Sequence, residues 1–208
     1  MKKTLSAGLL ALAGSGALAA GVAAADTMQA ETMSQDAMAP EAMHSGEGMA
    51  MAAGGDPRLY VPDVNYREEW VQLGAFSVLA DDPEEGAKEL HVVYADHAAI
   101  KAYLENGSFP DGAKIVKDVY ATKTEDLTTG RASYADTLAG RFVMVKDAEN
   151  RNADSSPLWG EGWGWAFYEA AETRKTATTD YVADCMGCHA PAAETDFLYV
   201  RGYPLLRR

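Results

Sequence analysis

Apolar and polar residues alternate along several short segments between residues 72 and 170, with the two-residue period of a strand that has one buried face. Clusters of Asp, Asn, Pro and Gly separate these segments, as at residues 81–83 and 110–112, and indicate turns. The pattern predicts strands over residues 72–79, 89–94, 113–121, 140–146 and 163–170.

Helical patterns are few and short. Residues 66–71 fit one short helix, and residues 97–105 fit another that ends before Gly107. The inward face of the second helix is predicted to hold Ala98, Tyr103 and Leu104. We therefore expect an α+β fold that is mainly β, with an antiparallel sheet of about five strands and a few short helices.

The strand over residues 113–121 carries one anomaly. Ile115, Lys117 and Val119 share its more apolar face, so that a lysine is predicted to point toward the core. Such a lysine snorkels to the edge, pairs with an acid or has a chemical role, and the pattern alone favours snorkelling. The last strand carries four aromatic residues, Trp163, Trp165, Phe167 and Tyr168. They either wall a flat apolar cofactor or form part of an ordinary core, and the pattern favours the core.

The first 56 residues have a different composition. Lys2 and Lys3, the apolar run over residues 9–22 and three alanines ending at Ala25 have the three parts of a secretory signal peptide, so we predict cleavage after Ala25 and export to the periplasm. An uncleaved membrane anchor is the alternative, but glycines interrupt the run. Residues 26–56 are rich in Met, Ala and Gly and predict a disordered tether, although their thioethers and His44 would also suit Cu(I). The remaining residues, 57–208, are predicted to form one folded domain.

The charge of the chain is strongly negative, with a formal value of −13. An acidic surface disfavours binding to nucleic acid and to anionic lipid. It is compatible with a basic redox partner protein and equally with a role in solubility.

The clearest chemical signal is the sequence CMGCH at residues 185–189, which contains both cysteines of the chain. A Cys-x-x-Cys-His sequence is typical of covalent attachment of haem c, with Cys185 and Cys188 bonded to the porphyrin and His189 bound to the iron. A helix beginning at Thr179, capped by Thr178 or Thr179, is predicted to carry it. A thioredoxin-like redox pair, a zinc site and a plain disulfide are the alternatives; the first needs a βαβ context and the second needs further ligands, and the sequence offers neither.

Several separate sequences resemble the cytochrome P-460 family, which includes cytochrome c′-beta. They run in order from residue 66 to residue 207: YREEWV at 66–71, FPDG at 109–112, FVMVKD at 142–147, GWAFY at 164–168, DCMGCH at 184–189 and YPLLR at 203–207. The resemblance implies a β-sheet homodimer with one covalent haem c per subunit and a five-coordinate iron held by His189. It also implies that the open face of the haem binds or transforms small nitrogen species, either nitric oxide or hydroxylamine.

The resemblance also gives the anomalous lysine a role. Members of the family that oxidise hydroxylamine have a lysine bonded to the porphyrin edge a few residues after the Phe-x-Asp-Gly turn, and Lys117 occupies the similar position. The same members carry a pocket carboxylate at the position of Phe142 and an arginine at the position of His91. Phenylalanine cannot accept protons as a carboxylate does, and the non-enzymatic members have apolar aromatic residues there.

Two hypotheses follow, and a third ranks below them. In the first, the protein is an exported haem protein whose five-coordinate iron binds or transforms nitrogen species, with Phe142 keeping the distal site apolar. In the second, it is a hydroxylamine oxidoreductase with Lys117 bonded to haem and His91 as the base. A simple electron-transfer cytochrome would need a sixth ligand such as Met144 or His91.

Overall fold

The computed structural model describes residues 55–207, in which six strands pair into one antiparallel sheet. The order of the strands across the sheet is β1-β2-β3-β4-β6-β5. Their bounds are β1 Val71–Leu79, β2 Ala87–Ala95, β3 Lys114–Leu127, β4 Gly130–Lys146, β5 Trp159–Gly160 and β6 Trp163–Glu169. The predicted fold class, α+β and mainly β with an antiparallel sheet, is therefore confirmed.

The helices are short, as predicted. They are α1 Tyr66–Glu69, α2 His97–Asn106 and α3 Gly187–His189, with a π-helical turn at Val182–Met186 and 3₁₀ turns at Pro57–Leu59, Pro83–Glu85, Ala190–Thr195, Val200–Gly202 and Pro204–Leu206. The predicted inward face of α2 was wrong in part, because Ala98 is exposed and Leu104 is 40% exposed. Ala99 and Ile100 are buried with Tyr103 instead, so the apolar stripe lies further round the helix.

Two strands are much longer than predicted. β3 continues beyond residue 121 and β4 begins before residue 140, and their extensions pair from Thr122 opposite Ala135 to Leu127 opposite Gly130. We call residues 122–138 the hairpin arm. Its side chains are exposed or half-buried throughout, so neither face needs apolar residues and the sequence lacks the alternation that would predict a strand.

Two core clusters cover the two faces of the sheet. On one face, which we call the cavity face, Val93, Ile115 and Trp165 pack with α2 and with residues 181–206, which we call the C-terminal segment. On the opposite face, Val116 and Val143 pack against residues that precede β1, including Leu59, Val61 and Tyr66. Because successive strand residues point to opposite faces, a side chain on either face of the central strands enters a core.

The C-terminal segment crosses β1 where two glycines approach each other. A Cβ atom on Gly74 would collide with the carbonyl oxygen of Gly202, and a Cβ atom on Gly202 would collide with the ring of Phe76. The ring of Phe76 also packs edge-on against Tyr203, with 5.6 Å between ring centroids. The missing side chains therefore let the last residues lie directly on the sheet.

The predicted signal peptide, residues 1–25, lies outside the described residues, as does the predicted tether except for its last two positions. Asp56, the last residue assigned to the tether, is buried and accepts a hydrogen bond of 2.8 Å from Trp159 Nε1. Between residues 55 and 207, none of the helices is long and apolar enough to span a membrane.

Candidate haem site

A cavity of about 410 Å³ lies between the cavity face of the sheet and the C-terminal segment. This volume is within the range of roughly 300–1,000 Å³ that is usual for small-molecule and cofactor sites. The wall is mainly apolar and aromatic. Its principal side chains are Phe76, Val78, His91, Val93, Ile115, Lys117, Phe142, Met144, Trp165, Cys185, Cys188, His189, Leu198, Tyr199 and Tyr203.

The segment that carries both cysteines is held by carboxylates at its start. Asp180 Oδ1 accepts hydrogen bonds from Val182 N at 2.7 Å and Ala183 N at 3.3 Å, and Asp184 Oδ2 accepts one from Thr179 N at 2.9 Å. The helical segment therefore begins after Asp180, and the predicted cap at Thr178 or Thr179 was wrong. A π-helical turn follows, a feature that is frequent at functional sites.

The two cysteines both line the cavity but differ in exposure. Cys185 is buried, Cys188 is exposed, and their sulfurs are not bonded to each other. Burial raises the pKa of the Cys185 thiol to about 11. A raised pKa is the opposite of what a thiol–disulfide oxidoreductase needs, and the antiparallel sheet does not contain the βαβ unit of the thioredoxin-like alternative.

His189 has one ring nitrogen committed to the protein. Its Nδ1 lies 2.7 Å from the carbonyl oxygen of Phe197, an acceptor, so Nδ1 carries the proton and Nε2 is the nitrogen available to a metal. Burial also lowers the pKa of His189, which favours the neutral, ligating form. Trp165 packs edge-on against the imidazole, with 4.9 Å between ring centroids. The ring is thus oriented by one hydrogen bond and by edge-on contacts with Trp165 and Tyr199.

Lys117 lies in the middle of the cavity wall. Lys117 is on β3, the strand between β2 and β4, and lies opposite Val93 of β2 and opposite Phe142 of β4. Burial lowers the pKa of its amine, while Cys188 and the carboxylate of Glu89 act in the opposite direction. Among residues 55–207, no carboxylate lies within ion-pair distance of its Nζ. The sequence left three roles open for this lysine, and within residues 55–207 the structure offers no acid with which it could pair.

Phe142 contributes an aromatic wall beside that amine. The rings of Phe142 and Phe167 are 4.5 Å apart, and Phe167 lies over Gly140, where a Cβ atom would come within 2.6 Å of it. Trp165 walls the cavity as well, whereas Trp163 belongs to the core and Tyr168 to the opposite face. Of these aromatic residues, Trp165 is placed where it would wall a cofactor, whereas Trp163 and Tyr168 are core residues.

His91 lines the cavity from β2 and has a carboxylate partner. Its Nε2 lies 2.9 Å from Glu89 Oε2; the side chain of His91 is 20% exposed and that of Glu89 is 42% exposed. Burial lowers the pKa of His91, the hydrogen bond that His91 donates to Glu89 raises it, and the charge of Lys117 lowers it, with a net lowering. Glu89 was not among the residues singled out from the sequence. The signal was present, because residues two apart on a strand share a face.

The structure brings six of the residues singled out from the sequence into one cavity: Cys185, Cys188, His189, Lys117, Phe142 and His91. The donor set fits a haem, since two sulfurs, one free imidazole nitrogen and a mainly apolar wall surround the space. For the zinc alternative, no group of three or more His, Cys, Asp or Glu side chains within residues 55–207 is placed to hold a metal ion.

Comparison with known proteins gives one family. The family model for cytochrome P-460 matches residues 64–200, a span that includes every residue just named. A comparison with curated proteins gives no match.

Proposed function

The chain belongs to the cytochrome P-460 family, and on that premise we propose that it carries one covalent haem c whose five-coordinate iron binds or transforms nitric oxide or hydroxylamine. Membership of the family itself indicates a haem protein. The observation that supports the finer proposal is the placement of Cys185, Cys188 and His189 on the wall of a mainly apolar cavity that also contains Lys117 and His91.

Three residues of the attachment sequence would hold the group. Cys185 and Cys188 would form the thioether bonds, and His189 Nε2 would bind the iron because Nδ1 is already bonded to Phe197. When bound, a haem with a single protein ligand supplies an open coordination position for a small ligand and a centre for electron transfer. Met144 also lines the cavity, which keeps the six-coordinate electron-transfer protein as a lower-ranked alternative.

Phe142 supports the binding function over catalysis. Its ring occupies the wall next to Phe167, where it excludes water and offers no group that accepts a proton. The Phe142 part of the wall favours a small uncharged ligand such as nitric oxide over anions, because its ring offers an anion no hydrogen-bond donor in return for lost hydration.

Two observations support hydroxylamine oxidation as the second candidate. The buried amine of Lys117 has a lowered pKa, so a larger fraction of it is neutral and nucleophilic, as attack on the porphyrin edge requires; an external two-electron oxidant would remove the two hydrogens lost when the bond forms. The hydrogen bond between His91 and Glu89 links a residue of the cavity wall to a carboxylate that is partly in solvent, a route for protons released in the oxidation of an amine.

Export to the periplasm after cleavage at Ala25, a homodimer and a basic redox partner remain part of the proposal. They rest on the N-terminal sequence, on the family and on the net charge of −13. Sedimentation of the purified holoprotein tests the dimer, and an acidic surface predicts that electron transfer to a basic partner slows as salt is added.

Intact mass and the visible spectrum of the purified holoprotein test the central proposal. We expect the mass of the chain from residue 26 onward plus one haem, and loss of the covalent haem when Cys185 and Cys188 are both changed to Ser. A mass two hydrogens lighter, with a red-shifted ferrous band, would show the Lys117 bond and favour the enzyme. A haem that is washed out of the native protein would contradict the proposal.

A further inference from the structure

We propose that Asp196 and Lys146 are positioning residues that fix the hydrogen bond between His189 and Phe197 and thereby set how strongly the imidazole binds iron. The inference rests on the proposed function, in which His189 is the iron ligand. It concerns two residues that lie outside both the attachment sequence and the cavity wall.

The carbonyl that accepts the proton of His189 belongs to an uncommon turn. Asp196 and Phe197 both have positive φ, of 56° and 64°. Asp is tolerated in this left-handed region because its side chain can make local hydrogen bonds, whereas a bulky residue such as Phe is a clear outlier. Two such residues in succession persist only where the surroundings determine their conformation.

The carboxylate of Asp196 supplies that determination. It accepts hydrogen bonds from Phe109 N at 2.9 Å, from Lys146 Nζ at 2.6 Å and from Trp163 Nε1 at 3.3 Å. These donors belong to the turn after α2, to the end of β4 and to the start of β6. We call Asp196 and these three donors the Asp196 clamp. It ties the turn to three separate parts of the fold.

The ion pair within the clamp is shielded from water. The side chains of Lys146 and Asp196 are each 10% exposed, and the Lys146 amine also lies 4.7 Å from the ring centroid of Trp163. A pair in such surroundings loses more when one partner is removed than an exposed pair does, because the remaining charge is left without compensation. The turn and the sheet are therefore coupled at this point.

The coupling leads directly to the iron ligand. Phe197 follows Asp196 in the chain, and its carbonyl oxygen is 2.7 Å from His189 Nδ1. On the other side of the turn, Thr195 Oγ1 donates to the carbonyl oxygen of Leu198 at 2.7 Å. A short bond from Nδ1 to a fixed acceptor makes the imidazole a stronger donor to a metal, and partners of this kind orient the ligand ring. Loosening the clamp should lengthen that bond and weaken the bond from Nε2 to iron.

Resonance Raman spectroscopy of the ferrous holoprotein tests the inference through the iron–histidine stretching band. We expect Asp196→Asn and Lys146→Met each to shift this band to lower frequency, while Lys146→Arg, which keeps the cation, restores most of the original position. Asp63→Asn, which removes the charge from an exposed pair with Arg174, is the matched control and should leave the band in place.

The two main variants separate positioning from simple charge. The two variants remove opposite charges, so a through-space effect of charge on the iron would shift the reduction potential in opposite directions. A loosened turn would instead shift the Raman band in the same direction in both variants. Opposite shifts of the band, or no shift in either variant, would overturn the inference. If Asp196→Asn does not fold, Trp163→Phe replaces it, because it removes one donor of the clamp and keeps an aromatic ring.

The same measurement distinguishes the two proposals. A wild-type spectrum without an iron–histidine band that depends on His189 would refute the proposed function and the inference with it. A wild-type spectrum with that band, unmoved in the folded clamp variants, would refute only the inference.

Discussion

The amine of Lys117 lies 4.2 Å from the ring centroid of Phe142, its direct partner across strands β3 and β4. A cation over an aromatic face is stabilised by the ring quadrupole, but burial lowers the pKa of the same amine. Phe142 thus gives the amine a weak partner where a carboxylate would hold it fully charged. The two residues together set the balance between a charged and a reactive lysine.

Replacing Phe142 with Glu should increase the oxidation of hydroxylamine. A carboxylate at this position can accept protons from the substrate, and positioned general bases contribute roughly 10²–10⁴-fold to rates. We expect a gain of at least about tenfold in steady-state turnover with an artificial electron acceptor, because Lys117 will pair with part of the new charge. Phe142→Gln is the control, because the glutamine side chain has nearly the shape of glutamate but no charge. Equal rates for the two variants would disprove the role of the carboxylate.

Replacing Glu89 with Gln should lower the pKa of His91 further. The carboxylate of Glu89 raises this pKa, whereas burial and the charge of Lys117 lower it, so only the lowering effects remain in the variant. His91 would then stay neutral to lower pH, and the acid limb of the pH–rate profile for hydroxylamine should move to lower pH. Glu125→Gln removes a carboxylate from the hairpin arm and serves as control. A limb that moves to higher pH would exclude His91 as the group that titrates.

Replacing Asp118 with Asn should destabilise the fold strongly. Asp118 is fully buried on the opposite face and accepts hydrogen bonds from Tyr66 at 2.7 Å, Arg67 at 2.6 Å and Tyr120 at 3.1 Å. The side chain of Arg141 is only 12% exposed and its Nε lies 3.8 Å from the carboxylate, so the variant leaves this cation without its partner, and breaking a buried pair in this way costs about 3–5 kcal/mol. Urea denaturation monitored by far-ultraviolet circular dichroism measures this loss.

The matched control for Asp118 is Asp126→Asn. Asp126 forms an exposed pair with Arg131 at 3.8 Å, and exposed pairs contribute only about 0–1 kcal/mol. Similar losses in the two variants would show that burial of Asp118 is not what makes it important.

Replacing Gly74 with Ala should displace the C-terminal segment from β1. The new Cβ atom would meet the carbonyl oxygen of Gly202, and relieving such overpacking costs about 1–3 kcal/mol. Limited proteolysis should then remove the C-terminal residues faster. Gly187→Ala is the control, because Gly187 has a helical φ of −53° and no atoms within 4 Å of its Cβ position. Equal stability of the two variants would contradict the close crossing.

Strand periodicity was sufficient to predict which of these side chains share a face. Because a strand repeats every two residues, the sequence already placed Lys117 with Ile115 on the apolar side, and the cavity lies on that side. The CMGCH sequence likewise predicted a site for haem from spacing alone. Local rules of this kind need no knowledge of distant parts of the chain.

Features that depend on distant contacts could not be predicted. Nothing in the local sequence indicates that Asp118 is buried, and it is the packing of residues that precede β1 over that face that buries it. Asp196 had no local signal either, since its partners lie 33 or more positions away along the chain. The hairpin arm was not predicted because neither of its faces is buried, so its sequence lacks the alternation of apolar and polar residues that indicates a strand.

Two neighbouring residues of β3 have different roles, because their side chains lie on opposite faces of the sheet. Lys117 faces the cavity, while Asp118 faces a network of tyrosines and arginines that would keep the strand in register whether or not a cofactor were present. Substitutions on the cavity side can therefore alter ligand chemistry without taking away the interactions that hold the strand. A sheet built this way is evolvable, because side chains of the cavity wall such as that of Phe142 can be exchanged on an unchanged frame.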